Sequence, residues 1–364
     1  MSAPRPIQKI AIIADPLSAG LIASILTARL PGDAYKFDVF LTPDKARPAN
    51  LYARPNIRHV HQLLQIKEQD LVALAGGELM LALPINFQPG GRFMSPFGDY
   101  GIAKQGCGFH HYWRRAYAAG QAKDLEYYNF ALRLAQQGSV LEAAPTDCPM
   151  IEPGYKFDRV KYGQYLFNLA LKTGQIIYSE SDRALDLNTS ELDQLKKSHD
   201  LVIHVSANDK SGEWDGNCIR ICPNEEIPGL FLYQIQSAMT RLFEFWPQKE
   251  RMVLEAREYN RLLGAEAVHI ADMQHLFEHG ASGDMNDRLK RKVDLFRVKG
   301  RVAFEDYDMF SPSEWMAALR ACGVEVMGYD RLADRMPLEK IVAWLEQLDA
   351  TMSLQLENLS RENV

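Results

Sequence analysis

The sequence KIAIIADPLSAGLIASIL, residues 9–26, decides the fold class of the chain. Its apolar run Ile10–Ala14 is typical of a buried strand, and the segment Leu21–Leu30 has the composition of a helix. The residues between them, from Asp15 to Gly20, are expected to form a turn. A strand, a turn and a helix in this order are typical of the first unit of a dinucleotide-binding domain, in which a pyrophosphate lies at the N-terminus of the helix. Dinucleotide-binding turns use three glycines, whereas this turn has only Gly20.

Two further apolar segments extend this unit into a sheet. Phe37–Leu41 (FDVFL) predicts a second strand, so the first 45 residues read as a βαβ unit. Leu201–Val205 (LVIHV) predicts a buried strand of the kind that parallel sheets use. We therefore expect an α/β protein that has a Rossmann-like scaffold of the FAD/NAD(P)-binding type, a helical, aromatic-lined second region and a helical C-terminus. The expected regions are the scaffold (residues 1–45 and 150–250), the substrate or aromatic-pocket region (46–149) and the helical C-terminal region (251–364).

Composition excludes several classes of protein. The chain has 364 residues, of which 47% are hydrophobic and 24% charged, as in ordinary globular proteins. A formal net charge of -6 argues against a nucleic-acid binder, which is normally basic. The sequence contains no apolar stretch long enough to span a membrane and no secretory signal at its N-terminus, so we expect a cytoplasmic protein. The five scattered cysteines indicate free thiols.

Helical periodicity predicts most of the remaining elements. The predicted helices cover residues 56–75, 125–137, 160–173, 230–246 and 250–277. Ser311 followed by Pro312 is typical of a helix start. The Pro- and Gly-rich sequence QPGGRFMSPFGDYG, residues 88–101, predicts an irregular loop. His59 and His61 are expected to lie on a helix surface.

Several short motifs, taken in their order along the chain, resemble the flavin-dependent tryptophan halogenase family. Ser18-Ala19-Gly20 is similar to the end of the glycine-rich turn of that family, and Ser95-Pro96-Phe97-Gly98 resembles its His-Pro-Phe-Gly loop. The other matching segments are Phe109–Trp113, Tyr155–Asp158, Asp200–Ile203, Ile235–Leu242, Tyr259-Asn260 and Phe310–Trp315. The resemblance spans most of the chain and implies the fold of a flavoprotein.

The resemblance implies FAD as the cofactor, but the residues that would hold it depart from the family pattern. Asp15-Pro16-Leu17 stands where the family has glycines that admit the pyrophosphate. Asp15 would place a carboxylate beside that anion, and Pro16 lacks an N–H donor. Thr42-Pro43 replaces the acid that holds the ribose, and Asp44 follows it late. Only Ser18, Ala19 and Gly20 match the cofactor turn, so no cofactor is expected, with FAD or haem as the alternatives.

The parts that carry halogenation in the family are also altered. Ala82 or Met80 falls near the position of the family's lysine. No Trp-x-Trp-x-Ile-Pro segment occurs, and Glu225-Glu226-Ile227-Pro228-Gly229 lacks the Ser-Thr of the family's flavin and halide loop. The chain therefore resembles a degenerate, shortened member of the family.

The candidate site with the best-preserved residues is GFHHYWRRAYAAG, residues 108–120. Its aromatic rings could surround a flat ligand, and an arginine could bind a carboxylate. If this segment is extended, His110 and His111 point to opposite sides. No metal site is assigned, although His110 or His111 could be an axial ligand of haem. The candidate ligand-binding residues are Phe97, Phe109, His110, His111, Tyr112, Trp113 and Arg114.

Two hypotheses of function follow. In the first, a halogenase-like protein without flavin binds a planar or aromatic small molecule as a subunit of a complex, either with another protein or as a homodimer. In the second, the chain is a flavin- or haem-dependent oxygenase with a rearranged site. An active flavin-dependent halogenase is the third alternative. No nucleic-acid partner and no membrane span are expected.

Overall fold

The computed structural model describes residues 5–30, 32–43, 47–88, 90–137, 152–178, 189–206, 212–249, 252–303 and 305–362. The chain forms two compact units, each built from two stretches of sequence. The first unit comprises Met1–Glu78 and Gly154–Ala265, and the second comprises Leu79–Pro153 and Glu266–Val364.

The first unit contains a mixture of strands and helices. In its N-terminal stretch they are β1 (Lys9–Ala14), α1 (Pro16–Arg29), β2 (Lys36–Leu41), β3 (Asn50–Ala53), α2 (Ile57–Leu63) and α3 (Glu68–Ala75). A short strand β4 (Glu78–Met80) follows. After the second unit's first stretch come β7 (Gly154–Asp158), α6 (Arg159–Leu171), β8 (Ile176–Tyr178), α7 (Thr189–Ser198), β9 (Leu201–Val205), β10 (Glu213–Asp215), β11 (Cys218–Ile221), α8 (Leu230–Glu244) and α9 (Val253–His279). The residues of α9 from Glu266 onward belong to the second unit.

A six-stranded sheet forms the centre of the first unit. Its order is β10-β11-β9-β1-β2-β8, and all neighbours are parallel except β10 with β11. The register places Ile10 beside both Phe37 and Leu201, and all three are fully buried. Leu192 and Leu195 of α7 pack against the sheet face that carries Ala11, Ile13 and Val202. The predicted strands β1, β2 and β9 and the parallel Rossmann-like sheet are therefore confirmed.

Helix α1 begins earlier than expected. The segment Asp15–Gly20, predicted as a turn, is instead the N-cap and the first turns of the helix. Asp15 caps the helix, and Pro16 occupies its first turn, where a missing N–H costs no hydrogen bond. Ten consecutive residues of α1, from Leu17 to Leu26, are buried, so the helix is embedded in the unit rather than lying on its surface.

The second unit is mainly helical. It contains β5 (Ala82–Phe87), β6 (Gly91–Pro96), α4 (Phe109–Ala118), α5 (Phe130–Gln136), α10 (Asp287–Lys299), α11 (Pro312–Ala321) and α12 (Leu338–Glu362). Strands β5 and β6 pair antiparallel, so the prediction of an irregular loop over residues 88–101 was wrong for its first half. Leu83, Ile85 and Phe87 of β5 are buried, whereas Pro84 and Asn86 between them are more exposed, which is the alternation of a strand with one buried face.

Other boundaries differ in smaller ways. The helix predicted over residues 56–75 is split into α2 and α3, because Gln65 adopts a φ of 54°, which no helix allows. The helix predicted over 125–137 starts as a 3-10 turn, Leu125–Tyr128. Helices α6, α8 and α9 confirm the predictions, and Ser311 forms a capping box with Glu314 at the start of α11. In the described parts of the chain, no helix is both long and apolar enough to cross a membrane.

Candidate functional site

The N-terminus of α1 is closed by the side chain of Asp15. Its Oδ1 accepts hydrogen bonds from the backbone N–H groups of Leu17 (3.1 Å) and Ser18 (3.2 Å). Its Oδ2 accepts the hydroxyl of Ser18 at 2.6 Å. Asp15 is buried. The helix end that binds an anion in dinucleotide-binding folds is thus satisfied by a carboxylate of the chain itself.

The carboxylate belongs to a set of four charged residues, of which Arg47 contacts it directly. Arg47 Nη1 lies 3.1 Å from Asp15 Oδ2, and Arg47 Nε lies 3.1 Å from Glu225 Oε1. Arg159 Nη2 approaches the same Glu225 oxygen at 3.3 Å. The guanidinium carbons of both arginines lie over the ring of Phe231, at 5.3 Å and 4.7 Å from its centroid. We call the four residues Asp15, Arg47, Arg159 and Glu225 the Asp15 network.

Three of the four side chains of the Asp15 network are buried, and the network is electrically balanced. The side chains of Asp15, Arg47 and Arg159 are exposed by only 5%, 9% and 6%, so their charges interact with little screening by water. Two positive and two negative groups neutralise one another. The Nε and Nη1 atoms of Arg159 are buried without a hydrogen-bond partner, so the N–H groups on these two atoms are not satisfied within the network.

Ser18, Ala19 and Gly20 lie inside α1 and are buried. A Cβ atom on Gly20 would lie 2.8 Å from the carbonyl oxygen of Gly163 in α6. A Cβ atom on Gly163 would in turn lie 2.9 Å from the Cα atom of Leu17. The glycines in this region therefore allow two helices to approach closely.

The aromatic-histidine segment is a helix. The opposite directions expected for His110 and His111 applied only to an extended segment, and that condition is not met, because both residues lie in the first turn of α4. Adjacent residues of a helix point about 100° apart. Their ring centroids are 4.0 Å apart, so the two imidazoles lie side by side.

Most of the predicted ligand-binding residues are part of the core of the second unit. Phe97, Phe109, Tyr112 and Trp113 are at most 4% exposed. The Trp113 indole N–H donates to the carbonyl of Lys123 at 2.8 Å.

The edge of Trp344 in α12 meets the ring of Phe109 at 5.4 Å and that of Tyr112 at 5.6 Å. Arg114 donates from Nε to the carbonyl of Val326. These aromatic and guanidinium groups hold the C-terminal segments of the second unit. Of the seven candidates, His110 and Arg114 are half-buried and the rest are buried.

The two histidines of α4 are held in the neutral form. Burial, with a further contribution from His111, lowers the pKa of His110 to about 3. Burial also lowers the pKa of His111, whose Nδ1 accepts the backbone N–H of Asp330 at 3.3 Å. Neutral imidazole is the form that binds metals. The described residues contain no group of three or more His, Cys, Asp or Glu side chains that could hold a metal ion.

A different histidine was misjudged from its sequence. His61 was expected on a helix surface, but it is 5% exposed, and its Nε2 lies 2.9 Å from the hydroxyl of Tyr162. Its ring meets Tyr155, Phe157 and Tyr162 edge to face. Burial, and then the charge of Arg58, lowers its pKa to about 4.

The residues of the Asp15 network were only partly visible in the sequence. Asp15 before Pro16 is a recognisable capping signal, and its carboxylate does not suit a site for a pyrophosphate. Arg47, Arg159 and Glu225 come from three distant segments, so no spacing rule could have joined them. Asp44, the late acid after the second strand, lies outside the described residues.

Comparison with known proteins agrees with this fold. The family model for tryptophan halogenase matches residues 53–180 and 176–338. No curated protein matches the chain. Among solved structures, Xcc4156, a flavin-dependent halogenase from Xanthomonas campestris, superposes with a TM-score of 0.81 at 18% identity, covering 97% of this chain and 96% of the other.

Two further solved structures have the same fold. BrvH, a flavin-dependent halogenase from Brevundimonas sp. BAL3, gives a TM-score of 0.80 at 16% identity, with 96% of each chain covered. The tryptophan 6-halogenase SttH from Streptomyces toxytricini gives 0.76 at 11% identity, covering 96% of this chain and 97% of the other. The family match spans well over half of the chain and confirms the resemblance seen in its motifs. The chain belongs to the tryptophan halogenase family.

Proposed function

We propose that this member of the tryptophan halogenase family does not hold FAD at its first βα unit and acts by binding a small planar or aromatic molecule. The observation that carries the proposal is the Asp15 carboxylate at the N-terminus of α1. A pyrophosphate at that place needs free backbone donors and a positive potential. Here the donors of Leu17 and Ser18 are used, and a negative charge occupies the position.

The rest of the Asp15 network supports the same conclusion. Arg47 bridges Asp15 and Glu225, so displacing Asp15 would leave a buried arginine with one acidic partner fewer. Breaking a buried ion pair by removing one partner costs several kcal/mol, about 3–5. A dinucleotide would have to supply this energy before it gained any from binding. The residues therefore do not fit the pyrophosphate of FAD.

The halogenating chemistry also lacks a candidate residue. Met80 and Ala82, which fall near the family's lysine position, carry no amine, and Ala82 is buried in β5. We therefore favour binding over halogenation for this chain.

An aromatic ligand is proposed by analogy with structural relatives that are tryptophan halogenases, such as the tryptophan 6-halogenase SttH. The cluster around α4 offers the half-buried His110 and Arg114 and the exposed ring of Tyr117 to such a ligand. We further propose that the protein works as a subunit of a complex, with another protein or a second copy. The exposed Val72 and Leu74 of α3, each 55% accessible, support this part of the proposal.

The test is the absorbance spectrum of the purified protein, recorded alone and after equilibration with FAD or with haem. We expect neither a flavin band nor a Soret band. The melting temperature should not rise with either compound, whereas a ligand that bound the folded state would raise it. One FAD bound per chain would refute the proposal. A haem spectrum that is lost in the His110→Ala or His111→Ala variant would instead support the oxygenase alternative. Light scattering of the same sample tests for a second copy.

A further inference from the structure

A groove lies in the first unit at the amino ends of strands β1 and β9. It has a volume of about 790 Å³ and is bordered by the end of α7, the β10–β11 turn and the start of α9. The Asp15 network lies at the opposite, carboxyl end of β1. A cavity of this size accommodates a small organic molecule, since ligand sites typically measure about 300–1,000 Å³.

The walls of the groove are fixed by hydrogen bonds. Asp200 accepts the backbone N–H groups of Gln8 (3.0 Å) and Lys9 (3.1 Å), and its other oxygen pairs with Lys249. Asn260 of α9 accepts the backbone N–H of Trp214 at 2.7 Å and donates to its carbonyl at 2.9 Å. Such a wall is preorganised, so little conformational entropy is lost when a ligand binds.

The polar chain beside the groove has a structural explanation. His199 Nε2 lies 2.8 Å from Asp38 Oδ2, and its Nδ1 lies 2.9 Å from the hydroxyl of Ser198. The order serine, histidine, aspartate resembles that of hydrolases. However, Nδ1 also lies 3.1 Å from the carbonyl of Leu195. The Ser198 hydroxyl donates to the same carbonyl at 3.3 Å, so its proton is directed at the backbone of α7 rather than at the imidazole. We therefore interpret this chain as a support for the wall.

Positive charge is in excess at the groove. Lys197, Lys249 and Arg257 line it together with the acids Asp200 and Asp215. Lys249 is paired with Asp200, whereas neither Lys197 nor Arg257 has a carboxylate partner in the described parts of the chain. An excess of cations in a chain of net charge -6 marks a place where an anion is attracted.

The groove also has apolar surface. Met252, together with Val253 and Ala256 of α9, lines the side next to Arg257. Val253 is 81% exposed, so its side chain gains from any contact that removes it from water. A cation beside uncovered apolar surface matches a ligand that has an acidic group on an apolar body.

We propose that this groove binds a small organic carboxylate with an aromatic or aliphatic body, the carboxylate pairing with Arg257 and Lys197. Arginine binds carboxylates through two parallel hydrogen bonds, which favours this acid. The site lies at the other end of the sheet from the Asp15 network, so it does not depend on whether flavin binds.

Isothermal titration with 2-naphthoate and with its neutral match, 2-naphthamide, tests the site. We expect naphthoate to bind about tenfold more tightly than the amide, because only the acid can pair with the two cations. Arg257→Gln should weaken naphthoate binding about tenfold and leave amide binding unchanged. Ala256→Trp, which fills the groove, should abolish both. Arg261→Gln, on the same helix but outside the groove, is the matched control and should change neither.

The proposal fails if naphthoate shows no binding at about 1 mM, which corresponds to only about 4 kcal/mol. It also fails if acid and amide bind equally, or if Arg261→Gln lowers the affinity as much as Arg257→Gln. Melting curves of each variant establish that it is folded. Arg257 and Arg261 are both exposed, so their replacement leaves the core intact.

Discussion

At the scale of single residues, the carboxylate of Asp15 caps α1 and also balances the charge of Arg47. A surface cap is worth about 1 kcal/mol, whereas one half of a buried ion pair is worth several times more to its partner. Asp158 allows the two effects to be compared, because it caps α6 but lies at the surface. Its carboxylate accepts the backbone N–H groups of Val160 and Lys161.

We expect Asp15→Ala to lower the free energy of unfolding by about 3 kcal/mol and Asp158→Ala by about 1 kcal/mol. The larger loss arises because Arg47 would remain buried beside a single acid, Glu225. Urea denaturation of the two variants and the parent measures both values. Equal losses would show that Asp15 is only a cap and that its pairing with Arg47 contributes nothing.

The buried His61 makes stability depend on pH. Its pKa is about 4 in the folded protein and near 6.5 when unfolded, so the neutral form is favoured by folding. Between pH 6.5 and 4 the unfolded chain binds a proton there that the folded chain does not. This contribution is fully present above pH 6.5 and is lost as the pH falls towards 4, by about 3 kcal/mol in total.

We expect His61→Gln to flatten this part of the curve of unfolding free energy against pH. A glutamine can still bond to Tyr162 but does not titrate. His59→Gln is the control, since His59 is exposed on the same helix. Unfolding measured at pH 7, 6 and 5 makes the comparison, and a slope unchanged in His61→Gln would contradict it. His110 has a lowered pKa as well, so a residual slope is expected.

At the scale of elements, the packing of α1 on α6 depends on the glycines at their contact. In an exposed helix, alanine is more favourable than glycine by about 1 kcal/mol. At position 20 the added Cβ would meet the Gly163 carbonyl at 2.8 Å and the Phe167 nitrogen at 2.9 Å. Both are backbone atoms, which cannot turn away as a flexible side chain does.

Gly20→Ala is therefore expected to destabilise the protein by about 1–3 kcal/mol, although alanine has a higher helix propensity than glycine. Gly264→Ala in α9 is the matched control, because nothing lies within 4 Å of its added Cβ. That variant should be more stable than the parent by about 0.5–1 kcal/mol. Thermal melting gives both signs. A stabilising Gly20→Ala would mean that the two helices can separate at little cost.

The elements were largely predictable because their signals are local. The apolar run of β1 and the capping box at Ser311 each lie within a few residues. The start of α1 was missed because Asp15-Pro16 was judged by its fit to a pyrophosphate and not as a cap. Hairpin β5–β6 was hidden by the glycines and prolines around it. The Asp15 network and the groove join distant segments, and their contacts are set by the fold alone.

At the scale of the whole chain, the central sheet separates two places where an anion can be held. At the carboxyl end of β1 the chain supplies its own anion, Asp15. At the amino end, Asp200 accepts the backbone N–H of Lys9 beside the groove. There Lys197 and Arg257 have no carboxylate partner among the residues that the structure describes. Six residues of strand separate the two ends, a distance of about 20 Å. Effects at sites more than about 7–10 Å apart with no shared partners usually add.

We therefore expect Asp15→Asn and Arg257→Gln to act independently. Arg257→Gln should lower the affinity for 2-naphthoate by the same factor with and without Asp15→Asn, within about 0.5 kcal/mol. The drop in melting temperature caused by Asp15→Asn should likewise be the same in both backgrounds. Titrations and melting curves of the four proteins in this cycle measure the coupling. A coupling above about 1 kcal/mol would mean that the sheet transmits a change from one end to the other, and the two sites could then no longer be treated as separate.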